Sequence, residues 1–402
     1  MLMYKYTARD ASTGQVVKSQ VEAMSEQAAA KLIREQNYTP INIEPVSAGK
    51  SVLPKRGRVK AKDKVLFSRQ LSTLINAGVP LVQSLQNVLG QTQNKYFRVI
   101  ISKIISDVEG GSAFSAAVAK HPAVFNEIYR SLVEAGEASG TLDRSLDRLA
   151  FQQEKDADMM RKIRGAFTYP IIVLVVMIGV CVYMMMTLLP QVQILYDGTG
   201  QALPFTTAML LGVTDFIKQF WYIVVVLIGL GAFFTSKWAR SGPGKEVIDK
   251  VKMKAPAVGP LFMKMYMARF ARTASTLVES GVPLLQVLKI TESSVNNVHI
   301  ARSIAAATEK VKAGKSLSES LRGDSNFLEL VPGMLGIGEQ SGATEQMMAK
   351  TADYYEKEVD DQIKTISTII EPMMMILMGV VALIIVAAIL LPVYTMSTDN
   401  IA

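Results

Sequence analysis

The 402-residue sequence predicts a mainly α, polytopic membrane protein. It has three transmembrane helices, two homologous helical-bundle domains in tandem parallel repeat, and a small N-terminal α/β unit. Two apolar runs without a single charge, "IIVLVVMIGVCVYMMMTLL" at 171–189 and "MMMILMGVVALIIVAAILL" at 373–391, predict the membrane part. The string "LINAGVPLVQSL" at 74–85 returns as "LVESGVPLLQVL" at 277–288, identical at seven of twelve positions, and predicts the repeat. The placement of 43 Lys and Arg around the apolar runs predicts the orientation.

Residues 1–46 form a separate unit. "YKYTARDASTGQVVKSQVEA" alternates as two short strands about a turn at Ser12 to Gly14, "SEQAAAKLIREQNY" starts with a serine cap and reads as a helix, and "TPINIEPV" closes as a strand. Residues 47–62, "SAGKSVLPKRGRVKAK", are basic, polar and interrupted by Pro54, as in a flexible tether near the membrane surface or an acidic partner.

The first helical domain covers 63–168 and the second 265–370. "FSRQLSTLINAGVPL" at 67–81 aligns without gaps to "FARTASTLVESGVPL" at 270–284, with nine identities in fifteen. Phe67, Leu71, Leu74 and Ile75 share one helical face. Gly78 suits a left-handed C-cap and Pro80 the first turn of the next helix, and Gly281 and Pro283 do the same in the second copy. At an offset of 202, "EAGEASGTLD" at 134–143 faces "GIGEQSGATE" at 336–345. Here Gly136, Glu137 and Gly140 correspond to Gly338, Glu339 and Gly342. The two glutamates admit a capping role, with Ser139 or Ser341 helping the turn, or a partner or cation site. Glu137, Asp143, Glu154 and Asp158 are the candidate cation ligands, although their spacing matches no EF-hand loop.

The offset continues into the membrane. Tyr169-Pro170 opens a first span at 169–190, Glu371-Pro372 opens a third at 371–392, and "LLP" ends both. Each charge-free run is long enough, at about 1.5 Å per residue, to cross roughly 30 Å of hydrocarbon. Between them, "FWYIVVVLIGLGAFF" at 220–234 is shorter, and a middle span at 213–235 has to include Asp215 and Lys218; a buried helix of a soluble core is the bland alternative. Parallel repeats require such a return crossing, with 191–212 as a short external segment of turn-like composition and 393–402 as an external tail. Of the basic residues, 24 precede the first span, Lys218 alone lies between the first two, 18 lie between the second and third, and none follows. The positive-inside rule then places the N-terminus inside and the C-terminus outside. The formal charge of +8 is read as topology and attraction to anionic lipid, and no aromatic-interleaved basic stripe points to nucleic acid.

Little suggests chemistry. There is no GxxxxGK[ST], GxSxG or HExxH. The single Cys181 lies in the first span, and His121 and His299 look like surface residues without metal-ligand spacing. No enzyme activity and no cofactor are expected; a channel or transporter subunit and a lipid-surface enzyme are the rivals from other classes.

An N-terminal α/β unit followed by two helical domains with paired "GVPL" and "GE.SG" motifs, each leading into a span through Tyr169-Pro170 or Glu371-Pro372, resembles the inner-membrane platform proteins of type IV pili and type II secretion systems (the PilC/GspF family). The resemblance covers nearly the whole chain. It implies a six-helix bundle for each repeat, on the cytoplasmic side of a bacterial inner membrane, and a homo-oligomer, often a dimer. It further implies a cytoplasmic hexameric ATPase, pilins or pseudopilins and other inner-membrane assembly proteins as partners; on general grounds a type IV pilus is expected, with a DNA-uptake pseudopilus and a secretion piston as the alternatives the sequence leaves open. Glu137, Gly140, Glu339 and Gly342 match its signature as motif positions.

Overall fold

The computed structural model describes residues 2–10, 16–23, 30, 32–34, 38–45, 57–199, 205–239, 241–256 and 258–399. The chain divides into two compact units, Met1–Val59 with Asn94–Val99, and the remainder. In the first, β1 (Leu2–Asp10) is the central strand, pairing antiparallel with β2 (Val16–Ala23) on one side and β3 (Tyr38–Pro45) on the other. A register shift between Thr7 and Ala8 interrupts the β1–β3 ladder. Ala8 and Ile33 are fully buried, with Tyr38 against them. The expected turn at 12–14 and most of the expected helix at 25–38 lie outside the described residues; Tyr38 begins β3 instead of ending that helix.

The second unit is helical, and residues 95–99 of the first unit begin one of its helices. The first repeat comprises α1 (Ala61–Asn76), α2 (Leu81–Gln91), α3 (Lys95–Glu109), α4 (Phe114–Ala119), α5 (Glu127–Ser139) and α6 (Leu142–Thr199). Next come α7 (Phe205–Trp238) and α8 (Gly242–Lys254), which have no counterpart in the repeat. The second repeat comprises α9 (Gly259–Glu279), α10 (Leu284–Ser294), α11 (Val298–Lys312), α12 (Leu317–Leu321), α13 (Leu330–Ser341) and α14 (Thr344–Asp399), six helices in the same order as the first. Residues 61 and 62, expected in the linker, begin α1, while 47–56 lie outside the described residues.

The predicted faces pack as cores. Phe67 and Leu71 are buried, with Leu74 and Ile75 half-buried beside them. Phe67 meets Phe125 at 5.8 Å between ring centroids, and their repeat equivalents Phe270 and Phe327 meet edge-on at 5.1 Å. Burying such rings supplies about 1.5–3 kcal/mol each. Gly78 and Gly281 adopt φ of +80° and +78°, and Pro80 and Pro283 stand as N-caps immediately before α2 and α10.

The long helices correct several expectations. Pro170, Glu371 and Pro372, at the openings of the expected first and third spans, lie inside α6, of 58 residues, and α14, of 56. Helix α6 also runs past Pro190 to Thr199, so 191–199 is helical where turn-like structure was expected, and α14 continues through the expected tail to Asp399. A proline removes one backbone donor, but an apolar segment away from water has no better way than a helix to satisfy its remaining amides. Helices α6 and α14 are long and apolar enough to cross a membrane. The middle segment is bent: Phe220 leaves the helical region at φ −120°, ψ 17°, and the arms Thr214–Phe220 and Val225–Trp238 meet at 75°. The break falls just after Asp215 and Lys218, the charges that cut the apolar run short.

Candidate functional site: the repeated corner and the seam between repeats

The "GE.SG" motif is built from three separate requirements. Gly136 and Gly338 sit where the last turn of α5 or α13 touches the start of the long helix. A Cβ at Gly136 would come within 2.6 Å of Ser145 Oγ, and one at Gly338 within 2.7 Å of Thr344 Cα. Gly140 and Gly342 follow with φ of +70° and +69°, turning the chain into α6 and α14 in a conformation that L side chains avoid. Ser139 and Ser341 donate to the carbonyls of Ala135 and Ile337, both at 2.7 Å.

Glu137 and Glu339 reach across to a different helix. Glu137 accepts from the amides of Phe114 at 2.5 Å and Ser115 at 2.9 Å, the first residues of α4. Glu339 accepts from the amides of Leu317 at 2.7 Å and Ser318 at 3.3 Å, and from the Ser318 hydroxyl at 2.5 Å, at the start of α12. A carboxylate that satisfies orphan amides at a helix start is favoured by charge-assisted hydrogen bonding and by the helix dipole.

The structure does not bring the candidate cation ligands together. Glu137 is occupied at α4, Glu154 is clamped by Arg69, Asp158 meets Lys162 at 3.1 Å, and Asp143 lies in the first turn of α6. Among the described residues no group of three or more His, Cys, Asp or Glu is placed to hold a metal. His121 and His299 are half-buried rather than exposed, and His299 Nε2 lies 3.1 Å from the Glu246 carbonyl.

Sequence reasoning missed one repeated ion pair. Arg69 on α1 donates two hydrogen bonds of 2.6 Å to Glu154 on α6, and Arg272 on α9 donates at 2.8 Å to Glu356 on α14. These arginines are 203 residues apart and the glutamates 202, the same offsets as the motifs. The identical arginines inside "FSRQ" and "FART" were the available signal.

The two repeats meet along a polar seam. From α6, Arg148 pairs with Glu279 at 2.5 Å, Gln152 donates to Thr273 at 3.0 Å, and Asp156 faces Arg269 at 3.4 Å, all on α9. Lys155 reaches Glu356 at 3.2 Å and Lys162 reaches Asp360 at 2.7 Å, both on α14. Glu356, only 14% exposed, thus serves its own repeat and the other. A cleft of about 350 Å³ opens here, lined by Lys155, Asp158, Lys162, Asp353, Glu356 and Asp360. Gln152 Oε1 and Arg269 Nε are buried without a hydrogen bond, so the seam is less completely satisfied than the corners. Below it the apolar parts of α6 and α14 leave a groove of about 360 Å³ between Ile172, Val176, Val180, Met378, Val381 and Ile385.

The comparisons with known proteins give the same duplicated pattern. The model of the family "Type II secretion system (T2SS), protein F" matches this chain twice, at 67–190 and 270–392, and the model of that protein's N-terminal domain matches 1–44. This chain belongs to the protein F family. Among similar members, a type IV pilus assembly protein PilC of Thermus thermophilus is 37% identical, with 98% of each chain covered. A protein of the same name from Pseudomonas aeruginosa is 34% identical over 90% of this chain and 96% of its own. A type II secretion system protein F of Pseudomonas aeruginosa is 31% identical over 99% of each. Both family matches in this chain end on the proline of "LLP", Pro190 and Pro392, and each takes in a "GE.SG" corner and an Arg–Glu clamp.

Proposed function

We propose that this chain is the inner-membrane platform protein of a type IV pilus-like machine, passing the motion of a cytoplasmic hexameric ATPase to pilin subunits as they leave the membrane and join a filament. One observation carries the proposal. Each soluble repeat continues into its apolar segment through a single helix, α6 or α14, with the Arg–Glu clamp fixing that helix to its own bundle. At about 1.5 Å per residue such a helix is over 80 Å long, so displacement of the soluble domain is felt in the membrane without an intervening loop.

In this reading the chain crosses a bacterial inner membrane three times, the bent α7 serving as the return span. The N-terminus and both helical repeats are cytoplasmic, the C-terminus is periplasmic, and the chain works as a homo-oligomer, a dimer in its simplest form. It catalyses nothing itself; the ATPase supplies the energy. The carboxylates and lysines of the seam form contacts that can exchange partners as the repeats shift, which an apolar seam resists.

The type II secretion reading has its own support, since proteins of that name match over 99% of this chain. The pilus is favoured by the higher identity to the pilus-assembly relatives. Deleting the gene and imaging the cell surface by electron microscopy separates the two. Loss of surface fibres with export intact supports the pilus, whereas intact fibres with lost protein export establish the secretion machine. No loss of either overturns both.

A further inference from the structure

Helix α8 has no partner in the repeat, and its two faces differ. Asp249 is buried, accepts from the Val298 amide at 3.1 Å, and lies 3.7 Å from Lys252. Asn297 donates to the Met253 sulfur at 3.3 Å, fixing the same side of α8 to α11. The opposite face presents Val247 and Val251, 49% and 59% exposed, flanked by exposed Lys250 and Lys254. Positions 247, 250, 251 and 254 follow the three-and-four spacing of a single helical face.

Both ends of α8 lie close to the end of an apolar segment. At its start, Gly244 packs so tightly on Trp238, the last residue of the apolar α7, that a Cβ would overlap the Trp238 carbonyl. Ser241 closes the corner by donating its amide and hydroxyl to that carbonyl at 2.9 and 2.6 Å. At its end, the chain enters α9 at Gly259. Helix α9 runs antiparallel to α14, as Lys264 reaches Glu358 and Gln362 while Arg272 reaches Glu356 and Asp353. Counting back from Lys264 at about 1.5 Å per residue puts Gly259 roughly 10 Å from the level of Glu371, where the apolar run of α14 begins.

We propose that α8 is a membrane-surface helix, with Val247 and Val251 entering the headgroup boundary and Lys250 and Lys254 holding the phosphates of anionic lipids. Chain continuity from Trp238 and the sign of the charge select a lipid surface as the occupant. The apolar strip is only one side chain wide, far short of the roughly 800 Å² per partner of a stable protein interface.

The inference rests on α7 being embedded in the membrane, and the test separates the two. The full chain carrying Cys181→Ser and Val251→Cys, labelled with an environment-sensitive dye, is placed in nanodiscs of anionic or neutral lipid containing a lipid-borne quencher. The label is quenched in anionic discs. Neutral lipid, or Lys250→Gln with Lys254→Gln, weakens that surface binding on the order of tenfold. Leu230→Cys, on α7, is quenched in both lipids, and Lys315→Cys, exposed on the second repeat, in neither. A water-exposed label at Val251 in anionic discs, beside a quenched one at Leu230, overturns the surface-helix proposal alone. An unquenched label at Leu230 overturns the membrane reading of α7 and the proposal with it. Protection at Val251 that ignores lipid charge, or persists in detergent, assigns the face to a protein and overturns the proposal.

Discussion

The Glu137 carboxylate closes the amide ends of Phe114 and Ser115, 23 and 22 residues earlier in the chain, and Glu339 repeats the arrangement at Leu317 and Ser318. Each glutamate therefore ties the last turn of one helix to the first turn of another. Glu137→Gln and Glu339→Gln keep the shape but lose the charge, and each lowers unfolding stability by about 1–2 kcal/mol. Glu339→Ala costs more than Glu339→Gln because it also strands the Ser318 hydroxyl. Denaturant unfolding of the purified full chain measures both differences, and a neutral effect at either position removes the capping role.

The two arginine clamps are not equally protected from water. Arg272 is 12% exposed and shares Asp353 and Glu356, whereas Arg69 is 35% exposed. Arg272→Ala destabilises by about 3 kcal/mol, as expected when a largely buried charge loses its partner. Arg69→Ala costs about 1 kcal/mol, closer to a surface pair. Equal losses in thermal unfolding would contradict the difference in burial.

At the corners, Gly342→Ala costs about 1 kcal/mol or more because a Cβ is strained at positive φ. Gly338→Ala is worse, since the new methyl meets the Thr344 backbone, which cannot turn aside. Gly136→Ala is comparably costly, because the new methyl meets the Ser145 Cβ at 2.7 Å, an atom held by the α6 backbone, with the Leu142 backbone at 3.1 Å. The order of melting temperatures checks this ranking.

How much of this was legible in the chain depends on how local each cause is. The Gly78-Pro80 and Gly281-Pro283 corners were readable because a left-handed glycine and a following proline act within a few residues. The function of Glu137 was half readable. Its chemistry as an amide acceptor follows from the side chain, but the helix it caps lies more than twenty residues away, and only folding shows which one. The Arg69–Glu154 pair spans 85 residues and was hidden for the same reason, although the repeat offsets marked both members. Pro170 and Pro372 are carried inside α6 and α14 because the rule that proline breaks helices is a rule for water, and it weakens where an apolar segment must satisfy its own amides.

Acid should release the first clamp in a defined direction. Hydrogen bonding from Arg69 holds the Glu154 carboxyl below its ordinary value of 4.5, with partial burial opposing it. A carboxylate depressed in the folded state contributes stability that is fully present above its unfolded value and lost as pH falls through its folded one. The stability gap between the wild type and Glu154→Gln is therefore constant from neutral pH down to about pH 5 and closes below that. A gap that widens on acidification would reverse the assignment.

The seam offers a direct test of motion. Gln152→Cys and Thr273→Cys, in a Cys181→Ser background, place thiols where α6 meets α9. Bridging them with a short thiol cross-linker in living cells abolishes filament assembly, while the unbridged variant still assembles. Undiminished fibres after complete bridging would show that the repeats work as one fixed body.

The four prolines of the long helices have a further consequence. Pro170 and Pro190 stand twenty residues apart in α6, as do Pro372 and Pro392 in α14. Twenty residues rise about 30 Å, the thickness of the hydrocarbon layer. Each rod therefore lacks a backbone hydrogen bond at two levels spaced like the two faces of the bilayer. Such a rod resembles a drive shaft with a pliable coupling at either end. Under the proposed function it passes torque along its axis while letting the shaft inside the membrane take its own tilt.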